Sequence, residues 1–241
     1  MDTIDTDNDF GAALQRRYRV WNHPDIRCKK LEASVEGAIV KVVAEHEIVD
    51  LGTLAMTYEI DGKGAIRVTE SMAAIPGKEV SDLFRFGMQV VMPRSFDRVQ
   101  YYGRGPVENY ADRKDSEFIG LYDQSVSEQF YPYIRPQETG TKSDLRWWKV
   151  TDAAGRGLEF RADAPFSASA LHYTQESLDE GIRKHNLHSP EIPEADLTNV
   201  LVDKIQMGLG CVNSWGALPL EKYRLPYGDY TFTFLLTPLA R

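Results

Sequence analysis

An alternation of apolar and polar residues with a period of two runs through much of the chain, and it restricts the fold more than any other feature. The clearest case is a pair of alternating segments, residues 54–60 and 66–72, joined by Asp61-Gly62-Lys63-Gly64. Asp and Gly accept the backbone angles that tight hairpin turns require. This region therefore predicts a β-hairpin.

The same alternation predicts further strands, at residues 40–48, 86–92 and 230–236, and a second hairpin in which the turn 152–157 joins residues 147–150 to 158–162. Many strands separated by turn signals are typical of an all-β sandwich or barrel. No repeat or Gly/Ser linker marks a boundary inside the chain. We therefore expect one large β-sandwich over residues 1–241.

Helical periodicity is scarce. Residues 175–185 predict one short helix with Thr174 as its N-cap, and residues 9–19 have room for one or two helical turns. Residues 189–196, which include Pro190 and Pro193, predict an exposed acidic loop.

Length and charge exclude several classes of protein. The chain has 241 residues and a formal net charge of −8, whereas a protein that binds a phosphate backbone needs clustered Lys and Arg. No apolar run approaches the roughly 20 residues of a membrane-spanning helix. We therefore expect neither a nucleic-acid nor a membrane partner.

The chain's compartment stays open at this point. The first residues, Met1 to Asp9, are acidic and do not form a signal peptide, although a longer parent protein would be free to carry one. Cys28 and Cys211 are the two cysteines, and we expect both to be free thiols.

Two segments concentrate polar residues. The first is Tyr101-Tyr102-Gly103-Arg104-Gly105-Pro106-Val107-Glu108-Asn109-Tyr110-Ala111-Asp112-Arg113, and the second is Arg135-Pro136-Gln137-Glu138-Thr139-Gly140. Buried charges are costly unless they are paired. We therefore expect Glu108, Asn109, Asp112 and Arg113 to bond to each other or to nearby backbone, and the charges around Glu138 to pair within their own segment.

A third segment combines glycines with a large aromatic residue. It runs Gln206-Met207-Gly208-Leu209-Gly210-Cys211-Val212-Asn213-Ser214-Trp215-Gly216, so an apolar strand leads into a glycine-rich loop. An indole at the tip of a loop can stack on the C–H face of a sugar ring. From these residues alone, Trp215 fits a core position as well as a ligand-facing one.

Together these segments resemble the C-terminal small-chain domain of glycoside hydrolase family 2 β-galactosidases. The family patterns are approximately W/Y-x-G-x-G-P-x-E-N-Y-x-D-R, P-Y-x-x-P-x-E-N-G and M-G-x-G-G-x-x-S-W. Thr139 replaces the family's Asn, Cys211 replaces its third Gly, and Val212-Asn213 stand where two acidic residues are usual. Thr6-Asp7-Asn8-Asp9 and residues 173–178 extend the resemblance to nearly the whole chain.

The resemblance implies a galactose-mutarotase-like supersandwich of two large antiparallel sheets. It also implies that the chain is part of a larger enzyme, whose TIM barrel supplies the two glutamates for retaining hydrolysis of β-galactosides. A TIM barrel alone needs about 250 residues, so the catalytic glutamates are not expected in this chain. The expected partners are a galactoside and the catalytic barrel with its sibling domains.

The family role of the small-chain domain assigns Trp215 to stacking against sugar. Glu108, Asn109, Asp112, Arg113 and Glu138 are expected to hold structural positions. No cofactor is expected in this chain, because the family's magnesium and sodium sites belong largely to other domains. His185 and His188 lack a third ligand at matching spacing, so we expect them to be surface or pairing histidines.

Two other classes of function remain open. In a free-standing aldose 1-epimerase, His172 would serve as the general acid and Glu138 or Glu159 as the base. In a carbohydrate-binding module, Trp215 would stack on sugar without any chemistry.

Overall fold

The computed structural model describes residues 13–179, 187–210, 213 and 216–240. The strands in chain order are β1 (Ile26–Glu36), β2 (Ile39–Ile48), β3 (Gly52–Ile60), β4 (Ile66–Ala74), β5 (Arg85–Pro93), β6 (Arg98–Gly105), β7 (Phe118–Ser125), β8 (Lys142–Leu145), β9 (Trp147–Thr151), β10 (Gly157–Ala162), β11 (Phe166–Leu171), β12 (Leu197–Gln206) and β13 (Tyr230–Leu239). All their pairings are antiparallel.

The strands form two sheets. The larger has nine strands in the order β1-β2-β3-β4-β13-β10-β9-β6-β7, and the smaller has four in the order β5-β12-β11-β8. The predicted all-β architecture with two antiparallel sheets is confirmed, although the two sheets are unequal in size. Both predicted hairpins are also present, as the β3–β4 and β9–β10 pairs.

The main hydrophobic core lies between the sheets. It combines Val68, Phe232 and Phe234 of the nine-stranded sheet with Val200 and Val202 of the four-stranded sheet. These residues are at most 5% exposed. Their alternation along β4, β12 and β13 is what turns one face of each strand toward the core.

The helices are short. They are α1 (Leu14–Arg17), α2 (Arg19–Asn22) and α3 (Gln175–Leu178), and 3₁₀ turns occur at Ser127–Gln129, Ser189–Glu191 and Glu221–Tyr223. Among the described residues, α1 and α2 therefore lie in and directly after the range 9–19 where one or two helical turns were expected, and residues 9–12 of that range lie outside the description. Among the described residues, no helix is long and apolar enough to cross a membrane.

The helix predicted over residues 175–185 was wrong in length. Thr174 caps its start as expected, since its side chain accepts from the Ser177 N–H. The helix ends at Leu178, and Asp179 is already extended (φ −126°, ψ 110°). Leu178 is buried, and residues 180–185 of the predicted helix lie outside the described residues.

The predicted loop at residues 189–196 is largely exposed, as expected, and only Ile192 is buried. Ile192 packs with Leu171, Tyr173 and Leu178 in a small second core. This cluster attaches α3 and the loop to the end of β11.

The two edge strands of the larger sheet expose apolar side chains. All eleven residues of β1 are exposed, including Leu31 (68%) and Val35 (74%). On β7 at the opposite edge, Phe118 is 81% and Leu121 73% exposed. Exposed apolar residues grouped along a sheet edge are typical of a surface that contacts another protein segment.

Candidate functional site

Glu108 is the centre of a buried hydrogen-bond network that follows β6. Its side chain is 3% exposed. One carboxylate oxygen, Oε1, accepts from Arg113 Nη2 at 2.5 Å and from the Tyr133 hydroxyl. The other, Oε2, accepts from the Gly140 N–H at 2.7 Å and the Tyr110 hydroxyl at 3.2 Å. The carboxylate therefore joins the first polar segment to the second.

Two aromatic rings of this network contact the partly exposed guanidinium of Arg113. It lies 5.3 Å from the centre of the Tyr110 ring and 5.7 Å from that of Tyr133. Burial and the nearby Glu108 carboxylate raise the pKa of both tyrosines. Both phenols therefore stay protonated at neutral pH and can donate hydrogen bonds to Glu108.

Asn109 joins the turn to β8 through both atoms of its amide. The side chain is fully buried. Its Oδ1 accepts from the Ser143 N–H at 3.0 Å, and its Nδ2 donates to the carbonyls of Arg104 (3.1 Å) and Val107 (3.0 Å). The amide thus satisfies backbone groups that would otherwise be buried without partners.

Asp112 bonds to a segment almost a hundred positions later in the chain. Its Oδ1 accepts from the Leu209 N–H at 3.0 Å and its Oδ2 from the Gly210 N–H at 2.8 Å. A Cβ at Gly208 would lie 2.5 Å from the Asp112 carboxyl carbon, so only glycine permits this approach. Asp112 therefore fixes the backbone of the third segment, five residues before Trp215.

Trp215 itself lies outside the described residues, as do Cys211, Val212 and Ser214. The part of the segment that the structure describes before them is well anchored. The Met207 N–H donates to the Phe84 carbonyl at 2.8 Å and the Gly208 N–H to the Tyr223 carbonyl at 2.8 Å. The chain thus enters the Trp215 loop from a fixed position.

We expect Asp112→Asn to loosen this anchor. The amide nitrogen that replaces one oxygen cannot accept from a backbone N–H, so stability should fall by about 1–2 kcal/mol. Amide hydrogen exchange should accelerate selectively at Leu209 and Gly210. Asp123→Asn is the matched control, because the Asp123 carboxylate accepts from Gln100 at an exposed site. Unchanged exchange at Leu209 and Gly210 in Asp112→Asn would contradict this role.

Glu138 pairs outside its own segment, so the expected pairing within residues 135–140 was wrong. It is 3% exposed and accepts from Arg85 Nη2 at 3.1 Å and from the Thr141 hydroxyl at 3.0 Å. Arg135, three residues earlier, is exposed. The buried carboxylate therefore takes a partner from β5.

Arg85 also approaches Asp203 of β12, with 3.5 Å between Nε and Oδ2. Asp203 is 2% exposed. Glu70, on the core face of β4, is 3% exposed, and its Oε1 has no hydrogen-bond partner among the described residues. Burial, with a smaller effect of Asp203, raises the pKa of Glu70 to about 8.

Sequence reasoning missed Arg85, Asp203 and Glu70. For Glu70 a signal existed, because it falls between Val68 and Met72 on the apolar face of an alternating strand. If the strand is predicted correctly, a carboxylate at such a position on the apolar face is buried.

No described contact joins the residues of the epimerase alternative. His172 is 4% exposed, and its Nδ1 lies 2.9 Å from the Leu197 carbonyl and 3.4 Å from Thr198 Oγ1. Glu159 lies in the other sheet, on β10, where it pairs with Lys149 and Arg161. Among its described contacts, His172 has no carboxylate partner. The candidate acid therefore has no observed link to its base.

The histidines considered for metal binding are only partly described. His188 Nδ1 lies 3.0 Å from the Ile134 carbonyl, and His185 lies outside the described residues. Asp179, half-buried at the end of α3, has its carboxylate 3.4 Å from Gln137 Nε2.

The chain is an all-β sandwich domain with two antiparallel sheets. The polar side chains of its Glu-Asn-Tyr-x-Asp-Arg motif all take part in hydrogen bonds that hold the fold. Residues 4–236 match the family model for the β-galactosidase small chain. The chain therefore belongs to the β-galactosidase small-chain family.

Individual relatives agree with this assignment. The chain is 34% identical over 239 residues to a β-galactosidase from Priestia megaterium, which covers 97% of this chain and 22% of that protein. It is 36% identical over 220 residues to a β-galactosidase from Lactobacillus delbrueckii subsp. bulgaricus, with 88% and 20% covered. The chain thus spans about a fifth of the length of these relatives.

Among solved structures, a galactose mutarotase-related enzyme from Lactobacillus acidophilus aligns with 90% of this chain and 71% of its own, at 10% identity and a TM-score of 0.28. The fold assignment rests on the sheet topology and the family match.

Proposed function

We propose that this chain serves a β-galactosidase as its small-chain domain, packs against the catalytic barrel, lends Trp215 to stack on the galactoside, and has no hydrolytic activity alone. The observation that carries the proposal is the Asp112 anchor. Both oxygens of one carboxylate are used to hold Leu209 and Gly210 at the entrance to the Trp215 loop. A segment fixed in this way is suited to present a side chain at a defined place.

The edges of the larger sheet support the packing part of the proposal. β1 and β7 expose Leu31, Val35, Phe118 and Leu121 to solvent in this chain. The relatives are about five times longer than the matched region. Additional domains of such an enzyme would cover apolar side chains that a free-standing domain leaves in water.

The polar motifs support the absence of independent catalysis. The Glu108 carboxylate is bound by Arg113, Tyr133, Tyr110 and Gly140, and both Asp112 oxygens are bound to backbone N–H groups. A retaining glycosidase needs two carboxylates about 5–5.5 Å apart on either side of the scissile bond. These two carboxylates are engaged in holding the fold instead.

The test is Trp215→Ala in the complete enzyme. Loss of the stacking surface should raise KM for a chromogenic β-galactoside by about fivefold, since an aromatic contact contributes about 1 kcal/mol. Trp147→Ala, on the outer face of β9, is the matched control and should leave KM unchanged. Unaltered kinetics of Trp215→Ala across several galactosides would refute the role of Trp215.

The isolated chain provides the second half of the test. It should show no turnover of the same galactoside. Turnover by the chain alone that a Glu→Gln substitution within it abolishes would refute the proposal.

A further inference from the structure

A cavity of about 210 Å³ opens beside the Glu108 network and is not used by the proposed function. It lies where the end of β6, the 3₁₀ turn after β7 and the start of β8 meet. Pro106, Glu108, Gln129, Phe130 and Lys142 are among its lining residues. Its volume is below the roughly 300–1,000 Å³ of pockets for drug-sized ligands and suits a smaller molecule.

Lys142, which lines this cavity, carries a buried amine. The residue is 1% exposed, and its Nζ donates to the Gly140 carbonyl at 3.2 Å. An ammonium group has three N–H donors. Among its described contacts this is the only hydrogen bond of the amine, so two donors remain for a molecule in the cavity.

Gln129, which also lines this cavity, carries a buried acceptor. The residue is 2% exposed, and its Nε2 donates to Gln124 Oε1 at 3.0 Å. That bond fixes the orientation of the amide, and Tyr101 also donates to the same Gln124 oxygen. Gln129 Oε1 is buried and has no hydrogen-bond partner among the described residues. An unsatisfied buried oxygen costs free energy unless a bound molecule donates to it.

The charges around the cavity select the class of ligand. A cation would be repelled by Lys142, and an anion by Glu108 and Glu128, which both line the cavity. A hydroxyl group accepts from the amine and donates to the amide oxygen at once. Phe130 and Pro106 add apolar wall on which C–H groups can pack.

We propose that this cavity is a second saccharide site, which binds one neutral monosaccharide through hydroxyl contacts to Lys142 Nζ and Gln129 Oε1. None of the residues that line it belongs to the segment 206–216, and the proposal does not depend on the proposed function. Burial lowers the pKa of Lys142 to about 8, against the opposing effect of Glu108 and Glu117, so the amine is still mainly protonated at pH 7.

The test is an NMR titration of the 241-residue chain, in which lysine is isotopically labelled at the ε-carbon and D-galactose is the probe. The Lys142 resonance is identified as the one that Lys142→Met removes. Galactose at pH 7 should shift this resonance with a Kd on the order of 1 mM. Gln129→Met, which removes the unsatisfied acceptor together with the hydrogen bond to Gln124, should weaken the Kd by about tenfold.

Two control variants separate this cavity from the Trp215 loop and from lysines on the surface. Trp215→Ala should leave the galactose-induced shift of Lys142 intact, so failure of the proposed role of Trp215 does not affect this test. Lys63→Met, in the exposed β3–β4 turn, should also leave the shift unchanged.

Three outcomes would overturn the proposal. The first is that galactose does not shift the Lys142 resonance of the folded chain, which would mean that only water occupies the cavity. The second is an equal shift with acetate or phosphate, which makes it an anion site. The third is an unchanged Kd in Gln129→Met.

Discussion

Replacing Glu108 with alanine is expected to lower the free energy of unfolding by about 3–5 kcal/mol, the range for removing one partner of a buried charge network. The substitution removes the acceptor of the Arg113 guanidinium, two tyrosine hydroxyls and the Gly140 N–H. Of these donors the Gly140 N–H and the Tyr110 hydroxyl are buried, so water cannot replace the carboxylate without rearrangement. Urea unfolding of the 241-residue chain measures the change.

A surface carboxylate provides the control. Glu32 pairs with Lys30 at 3.0 Å on the exposed strand β1. Such pairs are strongly screened by solvent, so Glu32→Ala should leave the urea midpoint unchanged. Equal effects of the two alanine substitutions would show that the Glu108 network is not a centre of stability.

Glu70→Gln is expected to change how stability depends on pH. The pKa of Glu70 is about 8 in the folded chain, because burial and, to a lesser extent, Asp203 disfavour its charged form. In the unfolded chain the pKa returns to an ordinary value near 4.3. The folded state therefore binds more protons than the unfolded state between these two values, and stability falls as pH rises through this interval.

Glutamine does not titrate, so the stability of the Glu70→Gln variant should not decrease in this way as pH rises. The free energy of unfolding of the unmodified chain should drop, relative to Glu70→Gln, by about 4 kcal/mol between pH 5 and pH 8. The difference between the two proteins at each pH, measured by urea unfolding, isolates Glu70 from other titrating groups. The lowered pKa of Lys142 makes stability depend on pH only between about pH 8 and the unfolded-state pKa near 10.4, which lies outside this interval. A constant difference from pH 5 to pH 8 would show that Glu70 is ionised in the folded chain.

The strand predictions succeeded where turn chemistry and alternation agree. The β3–β4 and β9–β10 hairpins have Asp/Gly turns between alternating strands, and both are present. Strand β1 was missed. A β-bulge between Cys28 and Lys30 shifts the register there, so that Ile26 and Cys28 are out of phase with Leu31, Ala33 and Val35. Because the bulge inserts one extra residue, the apolar residues before and after it do not follow a single period of two.

The candidate site was predicted in its residues but only partly in its contacts. Glu108 and Arg113 lie five positions apart in one turn and do pair. Asp112 lies in the same turn, yet its partners are Leu209 and Gly210. Glu138 likewise bonds to Arg85, which is 53 positions away. Charge spacing predicts partners within a turn, but it carries no information about which distant segment a side chain faces.

The sequence alone determined the all-β class, the local hairpins, the polar motifs and the family, because each of these depends on residues close together in the chain. Only the tertiary structure decided that β13 lies between β4 and β10, that Asp112 anchors the approach to Trp215, and that Glu70 and Lys142 are buried. The physical reason is that alternation specifies which face of a strand is buried but not which strand lies beside it. That choice depends on how both sheets pack around their common core, and it also decides which ionisable side chains lose contact with water.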